Sequence, residues 1–364
     1  MESKRIDEIE LIDDLPNRKI TKTILFLGDL SIVETHLNLI KLLNETQFTV
    51  LVGSQLKEEQ KIIEDYYSLK NVNLVFLSYP ITSWTQDRML RSKHQISGVF
   101  SDHNSEGYSI YETVATSKAS EILEFKSKKF TEEVYISQYT GKDSIVTNVK
   151  NEKYLKTNKS LLFYGDGGDR LVTKKMIFLG GKSFQYMKKI KLDNIETIEK
   201  LTNKKIIGID EDESNRYSFH LDLYLTFLSE KNLILGSYKK ALELLPQSLT
   251  WVDYVYMREK IVKEKAITNE LISLGFNVIS IPLIYKKDDG YISFNNGIFD
   301  EKTFYTSNYH FKDENINKEI KKMKTYVVKK FNDENLNLIF IDGGEKNMKL
   351  GGQVRCTAAV IENI

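Results

Sequence analysis

The chain alternates short apolar runs with stretches in which apolar residues recur every three or four positions. KTILFLGD (Lys22–Asp29) is apolar through its centre and reads as a buried strand. SIVETHLNLIKLLNE follows with helical spacing, FTVLVGS is a second strand, KEEQKIIEDYYSLK a second helix and VNLVFLS a third strand. This β-α-β-α-β opening predicts an α/β fold.

From residue 159 the pattern shifts towards paired strands. Lys159–Gly181 (KSLLFYGDGGDRLVTKKMIFLGG) predicts two strands around a glycine turn, followed by a helix at about Asn194–Asn203 and the strand KKIIGID. Ser218–Ser237 predicts a second pair with a polar turn at Glu230–Asn232, then a long helix at about Leu249–Leu274 and the strand NVISIPL. Gly290–Tyr309 predicts a third pair, followed by a Lys-rich helix at about Glu314–Phe331 and the strand LNLIFID. GGQVRCTAAV, read as a strand end, closes the series. One unit of strand pair, helix and strand thus recurs three times, at spacings of roughly 60–70 residues. The stretch from Arg91 to Lys153 is polar and lacks a clean period. Four scattered prolines (Pro16, Pro80, Pro246, Pro282) mark no linker, so residues 21–364 read as one pseudo-symmetric domain behind an extension at 1–20.

Composition narrows this picture. Among 364 residues, 52 Lys+Arg stand against 51 Asp+Glu, a net charge of +1, which argues against nucleic acid or an anionic membrane as partner. No apolar run approaches the ~20 residues of a membrane helix, and MESKRIDEIELIDDL does not resemble a signal peptide. A cytoplasmic protein is the expectation, and a homo-oligomer is compatible with it. One cysteine, Cys356, excludes an internal disulfide and a cysteine-cluster metal site.

The plainest role for Cys356 is that of a small buried apolar residue. It becomes a candidate nucleophile only if a histidine joins it. His36 lies in a helix, and His94, His103 and His310 lie in polar loops. His220 differs: in FHLDLY it alternates with Phe219, Leu221 and Leu223, so on a strand it shares a face with Asp222. A solvated strand face is the bland alternative, and a cleft the functional one. WTQDRML (Trp84–Leu90) follows the third strand, where α/β proteins place their sites, although Asp87 also suits a turn. FYGDGGDRL (Phe163–Leu171) sets Asp166 and Asp169 around two glycines without being a phosphate loop. DEDES (Asp210–Ser214) fails as a calcium loop, since Asn215 and Leu221 stand where the glycine and the bidentate acid belong.

The order of these motifs carries more than any one of them. W-x-x-D, acid-Gly-Gly-Asp, His-x-Asp and Gly-Gly…Cys resembles the pentein, or guanidine-modifying, superfamily of arginine, agmatine and peptidylarginine deiminases, dimethylarginine hydrolases and amidinotransferases. The resemblance spans Asp87 to Cys356 and implies a five-bladed α/β propeller of ββαβ units. It implies Cys356 as nucleophile, His220 as general acid and base, and Asp87 and Asp222 as ligands of the substrate guanidinium. Asp166 stands where many members have glutamate, and Asp169 matches the Asp that ends the same motif. Trp84 belongs to the first motif, though the Arg usual before its acid is missing and Arg88 follows it. Arg355 stands where agmatine deiminases have histidine. Asn295 or Asn296 matches an asparagine that some members place near the site, and Arg88, Arg91 and Arg170 are candidates for a substrate carboxylate.

Two carboxylates can clamp a planar cation by charge-assisted hydrogen bonds, and the bound cation favours thiolate at the cysteine. The expectation is therefore a guanidine deiminase working through a covalent thiouronium intermediate, with no cofactor and no metal. The substrate is a small-molecule or peptidyl guanidine. An amidinotransferase, passing the amidino group to an amine, and a non-catalytic pentein scaffold are the alternatives. A nucleotide-binding protein is disfavoured by the lack of a glycine-rich phosphate loop.

Overall fold

The computed structural model describes residues 11, 13–76, 83–85, 89–91, 96–98, 101–104, 107–110, 136–139, 161–164, 167–190, 195–196, 199–200, 202–211, 216–244, 250–287, 290–349 and 352–363. Its recurring unit is an antiparallel strand pair, a helix and a third strand parallel to the second. Arg170–Val172 and Met176–Gly180 pair, the helix Gly181–Ile190 follows, and Lys205–Ile209 lies parallel to Met176–Gly180. Leu225–Phe227 and Asn232–Ser237 repeat the pattern with the helices Tyr238–Leu244 and Trp251–Ser273 and the strand Asn277–Lys286. Gly297–Asp300 and Thr303–Ser307 repeat it again with the helix Glu314–Asp333 and the strand Asn337–Ile341. A parallel pair needs a crossover long enough to return the chain, and the helices supply it.

The unit that opens the chain is completed from its other end. Ala358–Asn363 pairs antiparallel with Ile20–Leu27, and the helix Val33–Leu42 leads to the parallel strand Gln47–Val52, with Val72–Phe76 added outside it. Four ββαβ units are therefore present among the described residues. The fifth blade implied by the resemblance would fall within residues 77–164, where the described elements are short strands: Met89–Arg91 with Ile96–Gly98, Ser101–Asn104 with Gly107–Ile110, and Ile136–Tyr139 with Leu161–Tyr164.

The units bury their sheets against their helices. Leu25, Phe26, Leu27, Val50 and Val52 are fully buried in the first unit, as are Leu233, Leu235, Ile281 and Leu283 in the third. The helix Trp251–Ser273 starts at Thr250, whose hydroxyl accepts the Asp253 N–H at 3.2 Å, and Glu314–Asp333 starts at Asp313, which accepts the Asn315 N–H at 2.8 Å. Both satisfy donors that a helix start leaves open. No described helix is long and apolar enough to cross a membrane.

Four details depart from the pattern of the sequence. The pair expected around Gly167–Gly168 turns instead at Thr173–Lys175, because Gly167–Asp169 forms a 3-10 turn ahead of it. Ser218–Tyr224 is not strand: His220 is extended, Leu221–Leu223 is a 3-10 turn, and pairing begins at Leu225. The alternation of Leu221 and Leu223 is real, since both are buried, but local bonds from Leu223 N–H to His220 O and from Tyr224 N–H to Leu221 O curl the backbone. Gly290–Ser293 adds to the preceding sheet beside Asn277–Lys286, so the third pair is Gly297–Asp300 with Thr303–Ser307. Cys356 sits in the one-turn helix Val354–Thr357, ahead of the strand rather than at its end.

Candidate active site

The turn that carries Cys356 is fixed on two sides. The fully buried Thr85, from the W-x-x-D loop, donates its hydroxyl to Thr357 O at 2.8 Å and accepts the Phe26 N–H at 2.8 Å. It pins the loop between a central strand and the turn. Trp84 presses on the same segment: a Cβ on Gly352 would stand 2.5 Å from its ring, so glycine is required there. Asp87, Arg88 and Asp166 lie outside the described residues, as does the side chain of Arg91.

Asn296, fully buried, contacts the Cys356 thiol directly. Its carbonyl accepts the Arg355 N–H at 2.8 Å, which orients the amide so that its nitrogen donates to Cys356 Sγ at 3.3 Å. Asn295 is the structural member of the pair, donating to Thr226 Oγ1 and Ile234 O in the neighbouring sheet. The choice between them is thereby settled for proximity to Cys356.

His220 and Asp222 come from a segment anchored on both sides. Tyr217 N–H donates to Asp210 Oδ2 at 2.7 Å, and its hydroxyl donates to Gly236 O at 2.6 Å. Asp169 accepts the Leu221 N–H at 3.3 Å and the Ser183 hydroxyl at 2.6 Å, with Arg216 Nη2 at 3.6 Å. It thus ties the turn between His220 and Asp222 to the second unit. A Cβ on Gly180 would coincide with the Asp169 carboxylate, so the residue there is glycine. The buried His220 ring lies on that of Phe219, with centroids 4.2 Å apart. Asp222 is fully buried, and its Oδ2 lies 4.0 Å from Cys356 Sγ.

Arg355 fills the space beneath this cluster. Its guanidinium donates to Asp222 Oδ2 at 2.7 Å, Asp14 Oδ1 at 3.1 Å, Arg170 O at 2.9 Å and Gly167 O at 3.3 Å. The two carboxylates raise its pKa further above the usual arginine value despite burial. For Asp222, burial dominates and raises the carboxyl above its ordinary value, although Arg355 and His220 pull it back. The second oxygen, Asp222 Oδ1, is buried without a hydrogen-bond partner. Such an oxygen in a dry site is costly until a donor reaches it. Arg170 is buried on its strand.

Asp14 had no signal in the sequence, where residues 1–20 read as an extension. It lies in a segment bonded to Val172, which accepts the Asp14 N–H and donates its own N–H to Asp14 Oδ2. Among the described residues no cluster of His, Cys, Asp and Glu is arranged to hold a metal ion.

No protein-family model and no curated protein matches the sequence. Solved structures do. One, described as a "putative agmatine deiminase", aligns over 98% of each chain with a TM-score of 0.57 at 12% identity. Another, the "putative arginine deiminase" of Porphyromonas gingivalis, aligns over 97% of this chain and 98% of its own with a TM-score of 0.57 at 9% identity. At these identities the likeness is one of fold: over nearly its whole length the chain has the α/β fold of these two structures.

Proposed function

We propose that the chain is a cysteine-dependent deiminase, a hydrolase that converts a guanidinium to a ureido group and releases ammonia. The observation that carries the reading is the buried, unpartnered Asp222 Oδ1 beside a thiol already held by Asn296. A substrate guanidinium supplies the N–H donors that this oxygen lacks, and its positive charge offsets that of a carboxylate which burial otherwise disfavours. The names of the two structural neighbours point to the same chemistry.

In this reading Asp222, together with Asp87 by the motif, orients the guanidinium over Cys356. The thiolate attacks the central carbon and forms a C–S bond. The C–N bond breaks as His220 donates a proton to the departing ammonia, leaving a thiouronium. His220 then takes a proton from water, the water oxygen attacks the same carbon, and the C–S bond breaks to give the ureido product and free thiolate, while the second proton of that water leaves to solvent, where the released ammonia takes it up as ammonium. Asn296 donates to sulfur in the thiolate states at both ends of the cycle. Arg355 keeps Asp222 Oδ2 occupied, so that only Oδ1 faces the ligand.

Ammonia release from arginine, agmatine, dimethylarginine, an arginine peptide and methylguanidine tests this, with Cys356→Ala beside the wild type. Release from at least one, abolished by the substitution, is expected. Transfer to glycine or ornithine without ammonia would replace hydrolysis by amidino transfer. Silence on every guanidine, together with no labelling of Cys356 by a haloacetamidine, would sink the enzymatic reading.

A further inference from the structure

The proposed cycle asks two things of His220: a fixed ring plane, and easy passage between imidazolium and imidazole. A histidine's outer torsion has no sharp preference of its own, so the plane of its ring is set by what touches it. One contact on the His220 ring comes from the side chain next to it in sequence. The Phe219 and His220 rings have centroids 4.2 Å apart and planes tilted by 30°. In a fully extended segment successive side chains leave on opposite faces and do not meet. Here the backbone bends through residues 217–220, and the two rings lie together.

Phe219 is placed unlike the apolar residues that follow it. Leu221 and Leu223 are buried, whereas Phe219 is 51% exposed although the His220 it lies on is 6% exposed. The ring therefore adds little to the core and covers the imidazole instead. It also lines a cavity of about 480 Å³, together with Ser218 and Leu223 of the same segment and Gln353 ahead of Cys356, so one ring borders the cavity and the imidazole at once. The face of an aromatic ring is the negative part of its quadrupole and attracts a cation laid on it. The imidazolium gains from this stack and the neutral imidazole gains less. The ionisable groups gathered around this segment, among the described residues, are Asp222, Asp169, Arg216 beside Asp169, and Arg355 and Cys356 from the one-turn helix. A neutral exchange at Phe219 leaves the charge of each of them as it is.

We infer that Phe219 is a positioning residue for His220: its ring holds the plane of the imidazole and favours the protonated form that gives its proton to the departing ammonia. The inference rests on the deiminase reading above, in which His220 is the acid and base.

NMR titration of the free protein with labelled histidine tests it, the His220 signal being assigned by its loss in His220→Asn. Phe219→Leu keeps an apolar side chain over the imidazole and removes only the π face. The pKa of His220 falls by about half a pH unit in Phe219→Leu and returns in Phe219→Trp. Ammonia release from whichever guanidine of the panel is turned over gives the second readout: kcat falls roughly three- to tenfold in Phe219→Leu, KM stays within about twofold, and Phe219→Trp recovers most of the rate. Phe219→Met is a second ringless variant should Phe219→Leu fold poorly. A His220 pKa that stays or rises in the ringless variants overturns the inference. So does a loss confined to KM, which would make Phe219 a wall of the cavity and nothing more. The two proposals fail separately. Turnover with an unmoved His220 pKa removes the role of Phe219 alone, whereas a shifted pKa without turnover of any guanidine removes the deiminase and leaves the stack standing.

Discussion

Arg355→Met strands two carboxylates at once. Arg355 supplies the guanidinium to both Asp222 and Asp14, at 2.7 and 3.1 Å, and its other two bonds go to carbonyls. Removing one partner of a buried ion pair costs about 3–5 kcal/mol, because the remaining charge stays desolvated. The Asp14 side chain is 12% exposed and can recover some water, but that of Asp222 is 1% exposed and cannot. The expected loss is therefore about 4 kcal/mol, set mainly by Asp222. Adding Asp222→Asn removes the stranded charge and returns about 2 kcal/mol, so the double variant is more stable than the single one. Arg355→Lys falls between, since an ammonium keeps the charge but cannot reproduce the fork that spans both acids. Urea unfolding at neutral pH, read as midpoint and slope, measures all four proteins. A loss below about 1 kcal/mol in Arg355→Met, or no recovery in the double variant, refutes the reasoning that Arg355 is the standing counter-ion of the site.

Three further outcomes follow from other contacts. His36 is fully buried, bonds Tyr67 through Nδ1 at 2.9 Å, and is pushed by burial from 6.5 to about 3. The unfolded chain takes this proton first, so its contribution to stability fades as pH falls below about 6.5; between pH 7 and 5 the wild type loses about 2 kcal/mol more than His36→Leu, read by denaturant titration at both pH values. Asn296→Ala removes the donor to Cys356 Sγ and the acceptor of Arg355 N–H. It lowers kcat by roughly ten- to a hundredfold and slows alkylation of Cys356 by iodoacetamide at neutral pH, and an unchanged alkylation rate would show that the donor does not act on sulfur. Gly352→Ala drives a methyl to 2.5 Å from the Trp84 ring and costs about 1–3 kcal/mol, with a matching loss of haloacetamidine labelling; full stability would mean that Trp84 moves aside freely.

The architecture was legible where the sequence speaks with a period. The strands through Ile24, Val50 and Leu74 and the helices through Leu39 and Met323 follow directly from apolar spacing. The site was legible only as residue types in order. Cys356, Asn296 and Asp222 do meet, but the backbone that brings them together was misread, because alternation around Leu221 describes burial equally well in a 3-10 turn and in a strand. The decision there is made by the Asp169 carboxylate, a tertiary contact that no local pattern encodes. Arg355 showed only its place in the last motif, for a similar reason. Its four internal bonds become visible only once Asp14, Gly167, Arg170 and Asp222 are in place.

The pairing of Ala358–Asn363 with Ile20–Leu27 also sets a timetable. A ribosome delivers the earlier strand first, and its edge then waits while the residues between the two strands are made, on the order of tens of seconds at ordinary elongation rates. Until the later strand arrives, that edge is an open row of peptide groups exposed to other nascent chains. The thiol emerges just ahead of that later strand, and so does Arg355, which reaches back to Asp14. Thiol and closure thus come in one step: until that segment arrives the chain holds neither the thiol nor the counter-ion for its buried acid, and with it the chain gains both.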